Sequence, residues 1–253
     1  MTWSATQYSR FEAERTRPVR DLVAAIPLEH VKAAIDLGCG PGNSTEVLAQ
    51  RYPSARVSGM DSSEDMVKAA QGRLRDIDFQ LADIAEWRAP ELLDVILANA
   101  SLQWVPDHAT LYPRLVSQLA EGGCLAVQTP DNLEEPAHFL AREVAASGPW
   151  AGKIGQVRVP DRHSADWYYA LLKPVCTHVD IWRTTYFHPL EGPQAVVEWF
   201  KGTALRPFMA PLDEAERQAF LDEYLRRIAE AYPEMDDGTV LLPFPRLFLM
   251  ATR

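Results

Sequence analysis

The fold is decided by one stretch of the chain, Ala34-Ile35-Asp36-Leu37-Gly38-Cys39-Gly40-Pro41-Gly42-Asn43-Ser44-Thr45. It predicts a buried strand, a glycine turn and a helix that begins at Ser44 or Thr45. An acidic residue, Asp61, follows at the end of the next strand-like segment. An open parallel sheet holds an adenosine-containing cofactor with this combination, because glycines let the backbone approach the ligand and the acid accepts hydrogen bonds from the ribose.

The spacing of the glycines narrows the choice of cofactor. Gly38, Gly40 and Gly42 are separated by single residues, whereas dinucleotide-binding proteins carry the pattern G-x-G-x-x-G. We expect all three glycines to line the cofactor. A nicotinamide-dependent dehydrogenase is the alternative from another class, and the spacing disfavours it.

The composition indicates a protein that acts on a small molecule. The chain has 253 residues, 47% of them hydrophobic and 24% charged, and a formal net charge of −10. Such acidity disfavours a nucleic-acid partner, because phosphate binding needs a basic face. The chain has no apolar run of membrane-spanning length, its first residues do not resemble a secretion signal, and its three cysteines are scattered. We therefore expect a cytoplasmic protein without a membrane segment, a zinc site or a disulfide framework.

Strand-like and helix-like segments alternate as far as Pro130, which predicts a doubly wound parallel sheet in an α/β protein. The predicted strands are 32–37, 55–60, 77–81, 94–99 and 124–128, and the predicted helices are 44–51, 63–73 and 108–120. We expect one domain over 1–253. Its parts are N-terminal lid helices 1–30, a cofactor-binding core 31–131, helical cap insertions 132–173 and 191–235, and late strands 177–190 and 240–252. The late strands are expected to form an antiparallel pair at one edge of the sheet.

Four elements in order carry a family resemblance: the glycine turn, Asp61, Ala82-Asp83-Ile84, and Ala120-Glu121-Gly122-Gly123. Over roughly residues 30–130 and again at the final strand, the chain resembles the class I S-adenosylmethionine-dependent methyltransferases. That resemblance implies S-adenosyl-L-methionine as the cofactor. It also implies a Rossmann-like, mostly parallel seven-stranded sheet with one antiparallel edge strand and a helical cap.

Further segments narrow the resemblance to a branch that methylates one carboxylate of a small tricarboxylic acid. These segments are Asn99–His108, Gln128–Asn132, Asp180–Tyr186, Leu205–Pro207 and Phe244–Phe248. The expected partner is therefore a small tricarboxylate, and a monomer is compatible with the sequence. A methyltransferase for another diacid or an acyl-thioester, and a cofactor-binding regulator without activity, are alternatives.

The resemblance also implies a set of cofactor-binding residues. They are Tyr8, Arg17, Asp36, Gly38, Gly40, Gly42, Asp61, Ser62, Asp83, Ile84 and Asn99. Several have a simpler alternative, because Asp61 could only cap a helix, Asp83 could be a surface turn residue and Arg17 a solvated helix arginine. In the functional interpretation Asp61 binds the ribose, Asp83 the adenine amino group, and Arg17 the carboxylate of the methionine part.

The expected substrate-binding residues are Trp104, Arg158, Tyr168, Arg183 and Arg206. Segment 151–210 holds seven Lys and Arg against five Asp and Glu, which is the reverse of the whole chain. Arginine suits this task because its guanidinium matches a carboxylate with two parallel hydrogen bonds. Trp104 could instead be a core tryptophan, and Tyr168 could only pack. No catalytic residue or metal is expected, because a carboxylate is already ionised at neutral pH.

Overall fold

The computed structural model describes residues 12–155, 157 and 163–253, with side chains from Thr16 onward. Residue contacts divide the chain into two compact units. Unit 1 runs to Pro130 and takes in the described parts of Pro160–Thr184 and Arg246–Arg253. Unit 2 consists of the described parts of Asp131–Val159 and Thr185–Pro245. The break at Pro130 lies where the cofactor-binding core was expected to end, while a single domain over 1–253 stays a prediction.

Seven strands form one sheet in the order β3-β2-β1-β4-β5-β7-β6. They are β1 Ala33–Leu37, β2 Arg56–Asp61, β3 Asp78–Leu81, β4 Leu93–Asn99, β5 Leu119–Pro130, β6 His178–Glu191 and β7 Thr239–Thr252. The first five pair in parallel, and β7 runs antiparallel to β5. The strand order reverses between β1 and β4, and ligands bind at the carboxyl ends of the strands beside such a reversal. The expected α/β fold with a mostly parallel seven-stranded sheet is confirmed.

The helices follow the predicted alternation through the core, and beyond Pro130 both long and short helices occur. They are α1 Glu12–Ala24, α2 Asn43–Arg51, α3 Glu64–Arg73, α4 His108–Ser117, α5 Pro136–Ser147, α6 Ala151–Ile154, α7 Ala165–Leu172, α8 Gly192–Lys201, α9 Arg206–Met209 and α10 Glu214–Ala231. A short 3₁₀ helix, Leu102–Trp104, follows β4. Within the described residues, no helix combines the length and the apolar character needed to cross a bilayer.

Strand β5 is longer than predicted, and α4 is shorter. The predicted helix 108–120 ends at Ser117, and β5 starts at Leu119 and continues through Gly122 and Gly123, which precede the predicted strand 124–128. A Cβ at Gly123 would lie 2.9 Å from the carbonyl oxygen of Leu93, and the register with β4 shifts between Leu93 and Val95. Glycine is therefore needed because two backbones approach closely at a β-bulge.

The segment 132–173, which was predicted to form one helical cap, is divided between the two units. Helices α5 and α6 belong to unit 2, whereas α7 belongs to unit 1 and packs against α4. The hydroxyl of Tyr168 on α7 lies 2.7 Å from Nδ1 of His108, the first residue of α4. Tyr168 and Leu172 also join the apolar core beside the sheet. Since α7 has these partners, it is part of the core rather than of the predicted cap.

Unit 2 is held together by tyrosines of α10 and the turn after it. The Tyr224 hydroxyl donates to the carbonyl oxygen of Ala137 at 2.9 Å, and the Tyr232 hydroxyl accepts from the backbone N–H of Ala137 at 3.0 Å. Nε1 of Trp150 donates to the carbonyl oxygen of Val144 at 2.8 Å. These bonds satisfy polar groups that are buried where α5 meets α10, which stabilises a small helical core.

Candidate cofactor and substrate site

The glycine turn adopts a backbone that only glycine takes without strain. The φ angles of Gly38, Gly40 and Gly42 are +74°, +53° and +92°. A Cβ at Gly38 would lie 2.4 Å from Cβ of Ser101, so the strand end at this point has no room for a side chain. Among the described residues, a Cβ at Gly40 would meet no atom within 4 Å, so it would project into open space. That space is where a ligand could lie directly on the backbone of the turn.

Asp61 is bonded to the glycine turn. Its Oδ2 accepts from the backbone N–H of Gly40 at 3.0 Å, and its Oδ1 accepts from the backbone N–H of Ser63 at 2.9 Å. The second bond is a local turn contact to Ser63, the residue that occupies the N-cap of α3, so Asp61 is not itself the cap of that helix. The first one places the carboxylate beside the expected ribose position, and Ser62 next to it is exposed. Each carboxylate oxygen has two lone pairs, so Asp61 retains acceptor capacity for a diol.

Asp36 lies behind the turn and is fully enclosed, with 0% of its surface exposed. Its Oδ2 accepts from the hydroxyls of Ser44 at 2.6 Å and Thr45 at 2.7 Å, which ties β1 to the first turn of α2. Oδ1 has no donor among the described residues. Burial raises the pKa of this carboxyl from 3.8 to about 6, against the opposite effect of the two hydroxyl bonds. Asp36 would therefore act on a bound cation through its charge rather than by contact.

Asp83 and Ile84 follow β3. Asp83 is exposed, and its Oδ1 accepts from the backbone N–H of Ala85 at 2.8 Å, so it forms the surface turn that its simpler alternative described. Ile84 is buried in the main core and lies close to Gly38. Both residues sit at the carboxyl edge of the sheet, and their adenine contacts stay predictions.

A third strand end, that of β4, lies beside the glycine turn. Asn99 is the last residue of β4, and its Oδ1 is buried without a donor in the described part of the chain. Ser101 is buried, and its hydroxyl donates to the carbonyl oxygen of Leu37 at 2.6 Å. Ala100 between them has φ +54°, a strained value for a residue other than glycine. Ser101 was not among the predicted residues, although it lies in a segment that carried the resemblance.

The remaining predicted cofactor residues lie around α1. Arg17 is an exposed residue of α1, a helix that packs against α2 and β5. Its role at the methionine carboxylate stays a prediction. Tyr8 lies outside the described residues, and so does Arg158 of the predicted substrate set.

Trp104 and Tyr168 have clearly different environments. Trp104 ends the 3₁₀ helix after β4 with 60% of its surface exposed, so the alternative of a core tryptophan is wrong. Its place at the carboxyl edge is compatible with a wall of the transfer site. Tyr168 is buried, and its hydroxyl pairs with His108, whose Nε2 lies 2.9 Å from the carbonyl oxygen of Leu102. These two hydrogen bonds connect α7 to the 3₁₀ helix, so Tyr168 has a structural role.

The two predicted arginine clamps belong to different units. Arg183 lies on β6 in unit 1 and Arg206 begins α9 in unit 2, and both side chains are exposed. Their carboxylate contacts stay predictions.

Sequence reasoning missed a buried arginine in unit 1. Arg246 of β7 has 7% of its surface exposed, and its Nη1 donates to Oε1 of Gln128 on β5 at 3.3 Å. Arg246 interrupts the apolar segment around Leu247, Phe248 and Leu249, and a charged residue inside a strand of buried residues was the available signal. Gln128, with 1% of its surface exposed, is likewise a polar residue in a strand of buried residues, near the end of β5.

Cys39 lies inside the glycine turn and is buried, and burial raises the pKa of its thiol. A buried thiol with a raised pKa is unreactive, so this environment supports a packing role for Cys39. No group of three His, Cys, Asp or Glu side chains that could hold a metal ion occurs within the described ranges.

Three observations support a fit between these residues and the predicted cofactor. The open space at Gly40 allows close approach, Asp61 retains acceptor capacity, and Oδ1 of Asn99 is a buried acceptor without a donor in the described chain. S-adenosylmethionine carries an adenosine, an ammonium and a sulfonium, and it has no phosphate. The acceptor oxygens of Asp61 and Asn99, together with the carboxylate of Asp36 behind the turn, suit the positively charged ammonium and sulfonium.

Comparison with known proteins identifies the family. Residues 29–172 match the family model described as a methyltransferase domain. Proteins named trans-aconitate 2-methyltransferase from Methylobacterium radiotolerans and Rhizobium etli are 52% and 49% identical to this chain. The alignments cover 99% and 100% of this chain, and 98% and 100% of the relatives.

Solved structures show the same fold at much lower identity. The YcgJ protein from Bacillus subtilis matches with a TM-score of 0.61 and 11% identity, over 94% of this chain and 98% of that one. A Haemonchus contortus phosphoethanolamine N-methyltransferase 2, solved with S-adenosylhomocysteine, has a TM-score of 0.57 and 15% identity. That match covers 94% of this chain and 52% of the other. The alternative of a dehydrogenase is wrong, and the chain belongs to the methyltransferase family, on the branch whose named members are trans-aconitate 2-methyltransferases.

Proposed function

We propose that this protein transfers a methyl group from S-adenosylmethionine to one carboxylate of trans-aconitate and releases a monomethyl ester. One observation carries the proposal, namely the 52% identity along 99% of the chain with a protein named for that reaction. The alignment includes unit 2 and the late strands, outside the cofactor-binding elements that the family shares. Because the aligned length includes these parts as well as the cofactor-binding elements, the identity supports a common substrate.

The cofactor would be held at the carboxyl ends of β2, β1 and β4. Asp61 is proposed to accept hydrogen bonds from the ribose, and the backbone at Gly38 and Gly40 to lie against the ligand. Oδ1 of Asn99 is proposed to accept from the ammonium group. The enclosed charge of Asp36 favours a cation at this place.

When bound, S-adenosylmethionine supplies a methyl group on a positively charged sulfur. Direct, in-line transfer of that group to a carboxylate oxygen would form one carbon–oxygen bond and break the carbon–sulfur bond, whose electron pair would remain on sulfur. No proton has to be removed, because a carboxyl group with a pKa near 4 is already ionised at neutral pH. The residues of this chain therefore work by orienting the two reactants and excluding water, and alignment alone can contribute several kcal/mol.

The test is methyl transfer with purified protein, labelled S-adenosylmethionine and a panel of carboxylic acids. We expect base-labile methyl ester from trans-aconitate at a rate well above that from cis-aconitate, citrate or isocitrate. Faster transfer to another diacid or to an acyl-thioester would reassign the substrate. The variants Arg183→Ala and Arg206→Ala are expected to raise the KM for trans-aconitate without changing S-adenosylhomocysteine binding. If either variant loses that binding instead, its assignment to the substrate is wrong.

We also propose a cytoplasmic monomer whose partner is this small acid and not a nucleic acid. The net charge of −10 and three cysteines that are all buried and unpaired support that setting. Light scattering on the purified protein tests the monomer, and cell fractionation tests the location.

A further inference from the structure

Arg114 lies on α4, and its side chain reaches the segment that follows β3. Its Nη1 donates to the carbonyl oxygen of Trp87 at 2.6 Å, and its Nη2 donates to the carbonyl oxygen of Ile84 at 2.8 Å. These bonds join residues that are 27 and 30 positions apart in the chain. The segment that Arg114 contacts includes Asp83 and Ile84, the two residues expected to bind the adenine of the cofactor.

Residues 83–87 form a single hydrogen-bonded turn that begins at Asp83. The carbonyl oxygen of Asp83 accepts from the backbone N–H groups of Glu86 at 3.1 Å and Trp87 at 2.8 Å. Its Oδ1 accepts from the backbone N–H of Ala85 at 2.8 Å. Because the side chain is bonded within the turn, the geometry of the turn sets the direction of the exposed Asp83 carboxylate.

The end of this turn depends on side-chain donors. Among the described residues, no backbone N–H donates to the carbonyl oxygens of Ile84, Glu86 or Trp87. A single turn is unstable by itself, because ordering its backbone costs more than its few hydrogen bonds return. The Nη1 of Arg88 donates to the carbonyl oxygens of Glu86 and Trp87, but Arg88 belongs to the same segment. Arg114, in contrast, fastens the turn to a helix of the core.

Arg114 is placed differently from an arginine that only completes the end of its helix in solvent. Its side chain is partly buried, and burial lowers the pKa of the guanidinium, with the charge of Arg88 acting in the same direction. The planar guanidinium offers several N–H donors in fixed directions, which suits two carbonyl oxygens at once. The partial burial is therefore explained by a role at the 83–87 turn.

Ile84 gives the turn a second connection to the expected site. Its side chain is buried in the main core, and its Cδ1 would lie 3.6 Å from a Cβ at Gly38. Arg114 bonds to the carbonyl oxygen of this same residue. A shift of the turn would therefore move an apolar side chain beside the glycine turn together with the carboxylate of Asp83.

We propose that Arg114 is a positioning residue for the adenine of S-adenosylmethionine. This inference rests on the proposed function, which needs that cofactor, and on the expected adenine contacts of Asp83 and Ile84. By fastening the turn, Arg114 orients the Asp83 carboxylate before the cofactor arrives, which lowers the entropic cost of binding. A carboxylate accepts from the amino group of adenine and repels the carbonyl oxygen that hypoxanthine carries at the same position. Arg114 thereby contributes to the selection of adenine.

The decisive measurement is the preference for adenine over hypoxanthine. Calorimetry gives the dissociation constants of S-adenosylhomocysteine and of its analogue with hypoxanthine in place of adenine. We expect Arg114→Met to weaken S-adenosylhomocysteine binding about tenfold, the effect of losing one well-oriented hydrogen bond, and to weaken binding of the analogue much less. Arg114→Lys, which retains the charge without the planar fork, should have an intermediate effect. If Arg114 served stability alone, the melting temperature would fall and the preference would not change.

A double-mutant cycle tests whether Arg114 acts through Asp83. Asp83→Asn retains an acceptor oxygen for the bond to Ala85 and loses the carboxylate. In that background, Arg114→Met should weaken S-adenosylhomocysteine binding much less than it does in the wild type, because the group that it orients is already gone. Losses that simply add would contradict the inference.

Arg253→Gln is the matched control. The guanidinium of Arg253 also donates to two backbone carbonyl oxygens, those of Ser117 and Leu119, but these lie at or before the start of β5, away from the expected cofactor site. The control should lower the melting temperature and leave both dissociation constants unchanged. In kinetic assays, Arg114→Met should raise the KM for S-adenosylmethionine and leave kcat and the KM for trans-aconitate within about twofold of the wild type.

The outcomes separate this inference from the proposed function. If the wild type methylates trans-aconitate and both Arg114 variants retain its preference for adenine, or if the wild type has no such preference, the inference is wrong and the function stands. If the wild type transfers no methyl group to trans-aconitate but binds S-adenosylhomocysteine with a preference that the variants lose, the inference stands and the substrate is wrong. If the wild type does not bind S-adenosylhomocysteine, both are overturned. Should Arg114→Met fail to fold, Arg114→Lys decides by the same preference.

Discussion

Asp61 and Gly40 are joined by a hydrogen bond of 3.0 Å, from the backbone N–H of the glycine to the carboxylate of the acid. The end of β2 and the turn after β1 therefore hold each other in place without a ligand. A site in which the acceptor is already oriented binds at a lower cost in conformational entropy. The pair of residues 21 positions apart acts as one structural unit.

The first prediction concerns Asp61→Asn. The amide retains one acceptor oxygen and loses the charge, so both the Gly40 bond and the proposed ribose bonds weaken. A hydrogen bond to a charged group contributes about 1.5–3 kcal/mol, which corresponds to roughly 10- to 100-fold in affinity. We expect calorimetry to show that loss equally for S-adenosylmethionine and S-adenosylhomocysteine, because both carry the ribose. An unchanged dissociation constant would show that Asp61 only shapes the turn.

The second prediction compares glycine-to-alanine substitutions at three positions that have positive φ angles and different surroundings. Gly40→Ala should fold with a penalty of about 1–2 kcal/mol for its positive φ, yet bind the cofactor at least tenfold more weakly, because the new methyl group enters open space at the turn. Gly122→Ala, with φ +74° and equally open surroundings, is the control and should show the folding penalty alone. Gly38→Ala should be much less stable than either, because its Cβ would overlap Ser101. Chemical denaturation and cofactor titration of the three variants give the comparison, and equal binding by the Gly40 and Gly122 variants would contradict it.

The third prediction follows from the raised pKa of Asp36. Since the carboxyl has a pKa of about 6 in the folded state and 3.8 ordinarily, the folded protein holds its proton more tightly than the unfolded chain. The contribution of this group to the free energy of unfolding is therefore fully present below pH 4 and is lost as the pH rises through 6. The loss amounts to about 3 kcal/mol.

Asp36→Asn removes that dependence. We expect the variant to gain stability relative to the wild type between pH 4.5 and pH 7.5, as measured by urea unfolding at each pH, and to bind the cationic cofactor more weakly. Asp78→Asn, an exposed change of the same chemistry, is the control. Parallel pH curves for Asp36→Asn and the wild type would refute the argument.

The fourth prediction concerns Tyr168→Phe. The substitution removes the hydroxyl that pairs with Nδ1 of His108 inside the core. The loss of one partner of a buried hydrogen bond costs about 1–3 kcal/mol, and the melting temperature should fall accordingly. We expect the KM for trans-aconitate to stay within twofold of the wild type. A raised KM at unchanged stability would instead return Tyr168 to the substrate site.

Local signals in the sequence predicted the core of this fold closely, because period and turn chemistry act over a few residues. The strand before Gly38 and the helix after Gly42 were placed to within one residue of their observed bounds. Helix α7 could not be placed, because its position depends on the contact between Tyr168 and His108, which lie 60 residues apart. The residues expected to bind the cofactor follow a short motif, so sequence reasoning could name them as candidates. Arg246 was not, because its burial depends on the pairing of β7 with β5.

The place of β7 in the sheet has a consequence for how the molecule assembles. The expected cofactor residues with described side chains all come from residues 17–99, and that expected site is built from parallel units that close over short stretches of chain. The Arg246–Gln128 bond joins residues 118 positions apart, and β7 has to insert between β5 and β6. Contacts of such separation form late in folding, because closing a long loop costs entropy before any contact compensates for it. During synthesis on the ribosome, the chain can therefore assemble the elements of its expected cofactor site well before β7 joins the sheet.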